Sequence, residues 1–240
     1  MEETLLITGA SRGLGLALTR HFLTLDRHVT ALSRTLSPEV SSLQSSSLGK
    51  LEVVLQDLAR LDQIPNCIRE IERRFACSAL INCAAVVEDG LFVRQSSKGI
   101  AATLAVNLHA PAILCQEVAK RMLIRHEGRI VNISSLSGSR AVRGLGIYGA
   151  AKAGLEQLTR VLALELAPRN IAVNAIAPGY LETDMSSGLS EIQRERIKAR
   201  TPTGRITATT EICTLAEFLI VKAPLSITGQ VIHQDGGFSL

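Results

Sequence analysis

Tyr148 and Lys152 stand four residues apart in the run Ile147-Tyr148-Gly149-Ala150-Ala151-Lys152. In a helix, residues at this spacing share one face, one turn apart. A phenol titrates near 10 when nothing perturbs it. A neighbouring ammonium favours the phenolate and should lower that value, which is what a general acid/base needs near neutral pH. Ser135 follows the strand-like run Arg129 to Ser134. A hydroxyl at such a strand end can bond to a substrate carbonyl, and Ser134 and Ser137 compete for the same role. Asn107 falls inside a long helical stretch, where Asn is a poor helix former. Buried there, it needs a partner. It holds a water, marks a kink, or is satisfied by a backbone carbonyl.

A second group of residues points to a phosphate-bearing ligand. Thr8-Gly9-Ala10-Ser11-Arg12-Gly13-Leu14-Gly15 lies between an apolar strand and a helix. Glycines there allow tight turning and close approach of backbone to phosphate oxygens, and the helix start supplies free N–H groups. The spacing is Gly-x-x-x-Gly-x-Gly, and no Lys-Ser or Lys-Thr pair closes it as a Walker A loop would. Dinucleotide folds that use NAD place an acid at the end of the second strand. Here that strand ends Leu32-Ser33-Arg34. A guanidinium pairs with a phosphate, so the 2′-phosphate of NADP is favoured, with Arg12 as a second charge. Otherwise Arg34 is a solvated loop residue. Asp57, after the third strand, either holds the adenine amino group or caps the next turn.

These residues need a frame that brings them together. Short β-branched runs alternate with helical stretches along the chain. Strands are expected at Thr4 to Thr8, His28 to Ser33, around Val53 to Leu55, Ala79 to Asn82, Arg129 to Ser134, Ile171 to Ala177 and Gln230 to Gln234. Helices are expected at Gly13 to Leu25, Asp62 to Phe75, Lys98 to Arg125, Ile147 to Leu166, Ser190 to Ala199 and Glu211 to Val221. Such alternation calls for a parallel sheet covered on both faces. The expected fold is α/β, a single-domain Rossmann-type doubly wound sheet of about seven parallel strands over residues 1–240. The serine-rich Ser41 to Ser47 reads as a loop or a poor helix.

Composition narrows the function classes. The 240 residues carry a net charge of +4 and seven aromatics with no tryptophan. Nucleic-acid domains concentrate basic residues and add stacking aromatics, so no nucleic-acid partner is expected. Five cysteines (Cys67, Cys77, Cys83, Cys115, Cys213) form no Cys-x-x-Cys pair. The odd count and wide spacing argue for reduced thiols, no metal site and a cytoplasmic protein. No signal peptide is evident, and no apolar run reaches the length of a membrane span.

Taken in order, Gly9, Gly13, Gly15, Asn82, Asn107, Ser135, Tyr148, Lys152 and Pro178-Gly179 resemble the motifs of the short-chain dehydrogenases/reductases across essentially the whole chain. The resemblance implies that Tyr148 donates a proton to a carbonyl oxygen and that Ser135 polarises it. Lys152 would lower the tyrosine's pKa and bind the nicotinamide ribose, and Asn107 would hold a relay water. Cofactor contacts implied in the same way are Gly9, Ser11, Arg12, Gly13, Leu14, Gly15, Arg34, Asp57, Leu58, Asn82, Ala84, Tyr148, Lys152, Pro178, Gly179 and Thr183. The chain departs from the family after the fourth strand, with Asn82-Cys83-Ala84-Ala85 where Asn-Asn-Ala-Gly is usual. Alanine at 85 would be strained if the position needs positive φ. Cys83 is an oxidation-sensitive thiol or, as the simpler reading, a buried inert one.

Segments Val86 to Arg94, Pro178 to Met185, Pro202 to Arg205 and Ile227 to Gly237 are similar to 3-oxoacyl-[acyl-carrier-protein] reductases. The implied activity is NADPH-dependent reduction of a carrier-bound 3-oxoacyl thioester. The alternatives are a carbonyl or quinone reductase or alcohol dehydrogenase for free small molecules, and a non-catalytic NADP-binding subunit. An acidic carrier protein would need basic residues near the pocket mouth, and Arg125, Arg129 and Arg169 are candidates. Residues 185–209 are expected to cover the substrate. The Ile147 to Leu166 helix is apolar or small nearly all round, as is expected of one buried on two sides. It and the Lys98 to Arg125 helix are expected to be buried against symmetry mates in an oligomer, and the family resemblance implies a homotetramer.

Overall fold

The computed structural model describes residues 2–182 and 190–240. Seven parallel strands form one sheet in the order β3-β2-β1-β4-β5-β6-β7. They are β1 (Glu3–Thr8), β2 (Val29–Ser33), β3 (Leu51–Leu55), β4 (Ala76–Asn82), β5 (Gly128–Ile133), β6 (Ile171–Pro178) and β7 (Val231–Gln234). The helices between them are α1 (Gly13–Thr24), α2 (Pro38–Ser46), α3 (Ile64–Arg74), α4 (Ser97–Leu104), α5 (Ala110–Arg125), α6 (Leu136–Ser139), α7 (Gly146–Leu166), α8 (Glu191–Arg200) and α9 (Thr209–Glu217). This is the single-domain Rossmann-type fold expected.

Successive strand residues face opposite sides of a sheet, and the core divides accordingly. Leu5 and Ile7 pack with Leu18 and Phe22 of α1 and Ile212 and Ala216 of α9. Leu6 and Leu80 pack on the other face with Ile68 and Ile71 of α3, Leu114 and Val118 of α5, and Ala163 and Leu166 of α7. Chain order reverses direction between β2 and β4, both of which pair with β1. In open α/β sheets ligands bind at that switch, beyond the strands' carboxyl ends.

Of the two readings of the serine-rich segment, the helix is the one observed: Pro38 sits at its start and Ser37 caps it by accepting from the Val40 N–H. One expectation is corrected: no apolar run was expected to reach the length of a membrane span, yet Ser97–Arg125 is long and apolar enough to do so by length and composition. Seven of its α5 residues, from Ala110 to Met122, are buried against the sheet and its neighbours, which accounts for its apolar character. That stretch is not a plain α-helix. Pro111 has no N–H to give the carbonyl four residues back, that of Asn107. The ladder opens to π spacing over Ala105–His109, and the Ala110 N–H reaches the Ala105 carbonyl.

Candidate active site

The glycine turn supplies space and donors. Gly9 has φ +73°, and a Cβ on it would lie 2.7 Å from the Ala84 Cα. A Cβ on Gly15 would lie 2.2 Å from the Gly9 carbonyl oxygen. The turn after β1 is therefore pressed against the start of the loop after β4, and only glycine fits. The Thr8 hydroxyl oxygen joins the two loops by accepting from the N–H of Cys83 (3.0 Å) and of Ala84 (3.1 Å). The sequence reading missed Thr8. Its signal was a hydroxyl at the last position of a buried strand, where loop N–H groups need acceptors.

Helix α1 begins here with no side chain capping it and no acid in its first turn. The first N–H groups of a helix lack internal partners, and those at Gly13, Leu14 and Gly15 head the crevice. Ser11 uses its carbonyl to accept from Ser37 Oγ at 2.8 Å, which ties the turn to the start of α2. Arg12 and Arg34 are both exposed. Among the described residues neither side chain has a hydrogen bond or ion pair, in contrast to Arg205, which is forked onto Glu211 at 2.6 and 2.8 Å. Asp57 Oδ1 accepts from the Ala59 N–H at 2.9 Å, so the turn-capping alternative holds for that oxygen. Leu58 is buried in the core below it.

The second half of the site is built from side chains. Ser135 Oγ accepts from the Ser137 N–H at 3.2 Å and from the Ser137 hydroxyl at 2.9 Å. With two lone pairs and one proton, it keeps its own O–H to donate, and it bonds to the Tyr148 phenol. Ser134 is excluded from that role, because it is buried and donates to Glu156 Oε1 at 2.7 Å. Ser137 instead orients Ser135.

Lys152 is buried, and its ammonium donates to the Ile133 carbonyl at 2.8 Å. It lies 5.6 Å from the centre of the Tyr148 ring. The expected lowering of the phenol's pKa is not what these residues produce. Burial pushes Tyr148 up to about 12, against a smaller opposing effect of the Ser135 hydrogen bond. The ammonium is directed at a carbonyl rather than at the phenol oxygen, so desolvation dominates. Burial also brings Lys152 down to about 8.

Asn107 sits in the π turn, fully buried. Its Nδ2 donates to the Val86 carbonyl at 2.7 Å and the Thr103 carbonyl at 2.8 Å, and its Oδ1 accepts from the Val86 N–H at 3.4 Å. The kink and the backbone-carbonyl partner are both present. The side chain fastens the loop after β4 to the π turn. Asn82 turns its side chain into the interior, donating to Asn132 Oδ1 at 2.9 Å, and Asn132 donates to Thr159 at 2.9 Å. Asn132 was also missed, although a lone Asn within Ile130-Val131-Asn132-Ile133 is the mark of a buried polar anchor.

Ala85 is absent from the positive-φ residues, so the strain feared there does not arise. Burial pushes the Cys83 thiol up to about 12, which fits the inert reading. Gly179 closes the crevice beyond β6, where a Cβ would meet the Asp235 backbone at 2.9 Å. Its N–H donates to the Gln234 carbonyl at 3.2 Å. Thr183, the remaining expected contact, lies outside the described residues, as do residues 185–189 of the expected substrate cover.

The three arginines expected at the pocket mouth are elsewhere. Arg129 is the second residue of β5, whereas Ser135 lies past its other end, about 20 Å away at strand rise. Arg169 precedes β6 and contacts His126 at 3.4 Å, and Arg125 pairs with Glu72 at 3.2 Å. All three therefore sit at the amino end of the sheet. The sequence showed their charge but not their strand end. A surface cavity of about 560 Å³ between β3 and α3 is also remote from Tyr148.

Residues 9–239 match the family model described as enoyl-(acyl carrier protein) reductase. The chain is 34% identical to the 3-oxoacyl-[acyl-carrier-protein] reductase FabG of Rickettsia bellii, over 98% of this chain and 96% of that one. A solved 4-hydroxyisoleucine dehydrogenase complexed with NADH superposes with a TM-score of 0.94 at 31% identity, covering 99% of this chain and 98% of the other. A gluconate 5-dehydrogenase from Burkholderia cenocepacia, in complex with NADP and tartrate, superposes with a TM-score of 0.93 at 28% identity, covering 100% and 96%.

Proposed function

This chain belongs to the short-chain dehydrogenase/reductase family and is an NAD(P)-dependent oxidoreductase, and from that premise we propose that it reduces carrier-bound 3-oxoacyl thioesters with NADPH. The observation that carries the substrate class is the near-full-length similarity to a 3-oxoacyl-[acyl-carrier-protein] reductase. The free guanidinium groups of Arg12 and Arg34, with no acid at the end of β2, support NADPH over NADH.

The residues fit a dinucleotide. Gly9 and Gly15 leave a cradle that a Cβ would fill, and the uncapped start of α1 presents N–H groups to a pyrophosphate. Bound there, the cofactor supplies the hydride that goes to the carbonyl carbon. The chain's own residues supply the rest. Ser135, held by Ser137, aims its O–H at the carbonyl oxygen and polarises it. Tyr148 is protonated throughout the neutral range and gives its phenolic proton to that oxygen as the alcohol forms. Lys152, still largely cationic at pH 7, stabilises the phenolate left behind and offers its remaining N–H groups to the ribose. Asn107 holds the loop after β4 in place.

A carrier protein would be met by Arg94 and Arg143 in place of the three arginines at the far end. Both are exposed, on loops joined by the Gly90 N–H donating to the Gly144 carbonyl at 3.0 Å. The chain is proposed to work in the cytoplasm as a homotetramer. Leu164 on α7 and Ile124 on α5 are 80% and 72% exposed in the single chain, and assembly through these helices would cover them.

A second reading is supported by the two superposed dehydrogenases, whose names point to small hydroxy acids. It makes the protein a carbonyl reductase for free molecules. The test is NADPH oxidation with an acetoacetyl thioester on a carrier protein, the same thioester free, and a panel of small ketones and keto acids. Fast turnover concentrated on the carrier-bound thioester is expected. Turnover confined to small ketones would transfer the assignment to the second reading.

A further inference from the structure

Lys152 poses a problem for its own task. Burial disfavours its charged form, yet a cation beside Tyr148 is what the proton transfer requires. Burial brings its titration down to about 8, close to the range in which the enzyme must work. Something must hold the charge.

The surrounding groups can be followed one by one. On α7 itself they are Tyr148, neutral below its raised pKa, and Glu156. The loop after β4 brings Cys83, whose thiol is pushed up to about 12 and carries no charge when Lys152 titrates. From β5 and the turn after it come Ile133, Ser134, Ser135 and Ser137, and from the π turn Asn107, all neutral. Arg160, one turn beyond Glu156, approaches that carboxylate at 3.9 Å from the solvent side. Glu156 is therefore the one standing anion near the buried ammonium among the described residues.

Glu156 is also built in. It is 4% exposed and lies one helical turn after Lys152, on the same face. Ser134 Oγ donates to Oε1 at 2.7 Å and fixes the carboxylate against the strand that presents Ser135. Gly138 makes room for it, since a Cβ there would lie 2.5 Å from Oε1. A carboxylate is costly to bury without partners; the serine bond would serve a neutral side chain equally well, and Arg160, half exposed and 3.9 Å away, is a weak structural reason for an acid. Gln would fill the space and take the same hydrogen bond.

We propose that Glu156 is a positioning residue that keeps Lys152 protonated, so that the cation is in place when Tyr148 gives up its proton. The inference rests on the oxidoreductase reading of Lys152 but not on any particular substrate. The two groups form no direct ion pair, Lys152 donating to the Ile133 carbonyl and Glu156 accepting from Ser134. The carboxylate therefore acts on the ammonium through space, where an opposite charge a few ångströms away shifts a titration by about one pH unit.

The test follows Lys152 itself, by the ¹³Cε resonance of labelled lysine during a pH titration of the full chain. The Lys152 signal is identified by its loss in Lys152→Met. Glu156→Gln is expected to move the Lys152 midpoint about one unit lower, and Glu156→Asp is expected to restore most of it. In parallel, the alkaline limb of kcat/KM should move down with the midpoint in Glu156→Gln, while kcat well below that limb stays within about twofold. Ser134→Ala, which keeps the charge, should shift the limb far less than Glu156→Gln. A Lys152 midpoint unchanged in a folded Glu156→Gln protein overturns the proposal even if turnover falls. A protein that titrates as expected yet turns over no carbonyl would instead count against the functional reading. Should Glu156→Gln fail to fold, Glu156→Asp decides alone: a midpoint displaced as far as removal of charge would displace it contradicts the role.

Discussion

The two sides of the crevice are made of different material. Along β1 and α1 the site is backbone: Gly9, Gly13 and Gly15 clear space, N–H groups face outward, and the nearby arginines are exposed. Along β5 and α7 it is side chain: Ser135 is held by Ser137, and Tyr148 and Lys152 are buried, the latter donating to the Ile133 carbonyl. The first side is open because a polyanion must be admitted and its charge met by donors that cost nothing to desolvate again. The second is closed because proton transfer depends on dipoles fixed in advance and shielded from water. Binding and chemistry should therefore fail separately when each side is altered.

Lys152→Met tests the closed side hardest. Loss of the cation should reduce turnover by about 10²–10⁴-fold, the usual range for a proton-transfer partner, and steady-state kinetics will show it. The same variant should be more stable. Lys152 has a folded-state pKa of about 8, below its ordinary 10.5, so between those values the unfolded chain binds more protons. Stability of the native enzyme should rise with pH across that window. At pH 7 the buried charge costs about 1–2 kcal/mol net of its hydrogen bond to Ile133, and Lys152→Met should recover that in a denaturant titration while losing the rise from pH 8 to 10.5. In the native enzyme turnover should decline as pH rises through about 8.

Gly9→Val tests the open side. A non-glycine residue at φ +73° costs about 1–2 kcal/mol, and the added atoms strike Ala84. NADPH affinity, read by fluorescence titration, should fall about 100-fold, with loss of stability as well. Arg34→Glu should leave the fold unchanged. It should lower the preference for NADPH over NADH, as a ratio of kcat/KM, about 10–100-fold, the worth of one charge-assisted contact. Smallest of all, Ala85→Gly should change stability by no more than about 1 kcal/mol and leave cofactor affinity as it was, because Ala85 already sits in an ordinary conformation. A large gain in affinity would show that the missing glycine matters after all.

The open side was the more legible in sequence. Glycines at fixed spacing between a strand and a helix have one physical explanation, and the missing acid after Ser33 is visible without coordinates. Strand and helix positions followed largely from periodicity, and Asn107 stood out as an Asn inside a helical stretch, whereas the order of the strands came only from their pairing. The closed side was legible in its members but not in its energetics. Tyr148 and Lys152 announce a pair, yet the direction of the tyrosine's shift depends on how deeply the phenol is buried and where the ammonium points, and neither is a property of spacing. Ser134, Ser135 and Ser137 were indistinguishable until Glu156 claimed one and Ser137 was seen to orient another. The arginines misled for a related reason: sequence shows charge, but the end of a strand on which a charge lies emerges only from the register of the sheet.

The separation of binding from chemistry is tested most directly by Tyr148→Phe, with NADPH affinity and turnover measured on the same preparation. The phenol oxygen is the one atom removed, and it belongs wholly to the closed side. Cofactor affinity should stay within about threefold of the native value, while turnover falls by about 10³-fold or more. Near-native turnover would remove Tyr148 from the proton transfer, and loss of both together would show that the two sides of the crevice do not work apart.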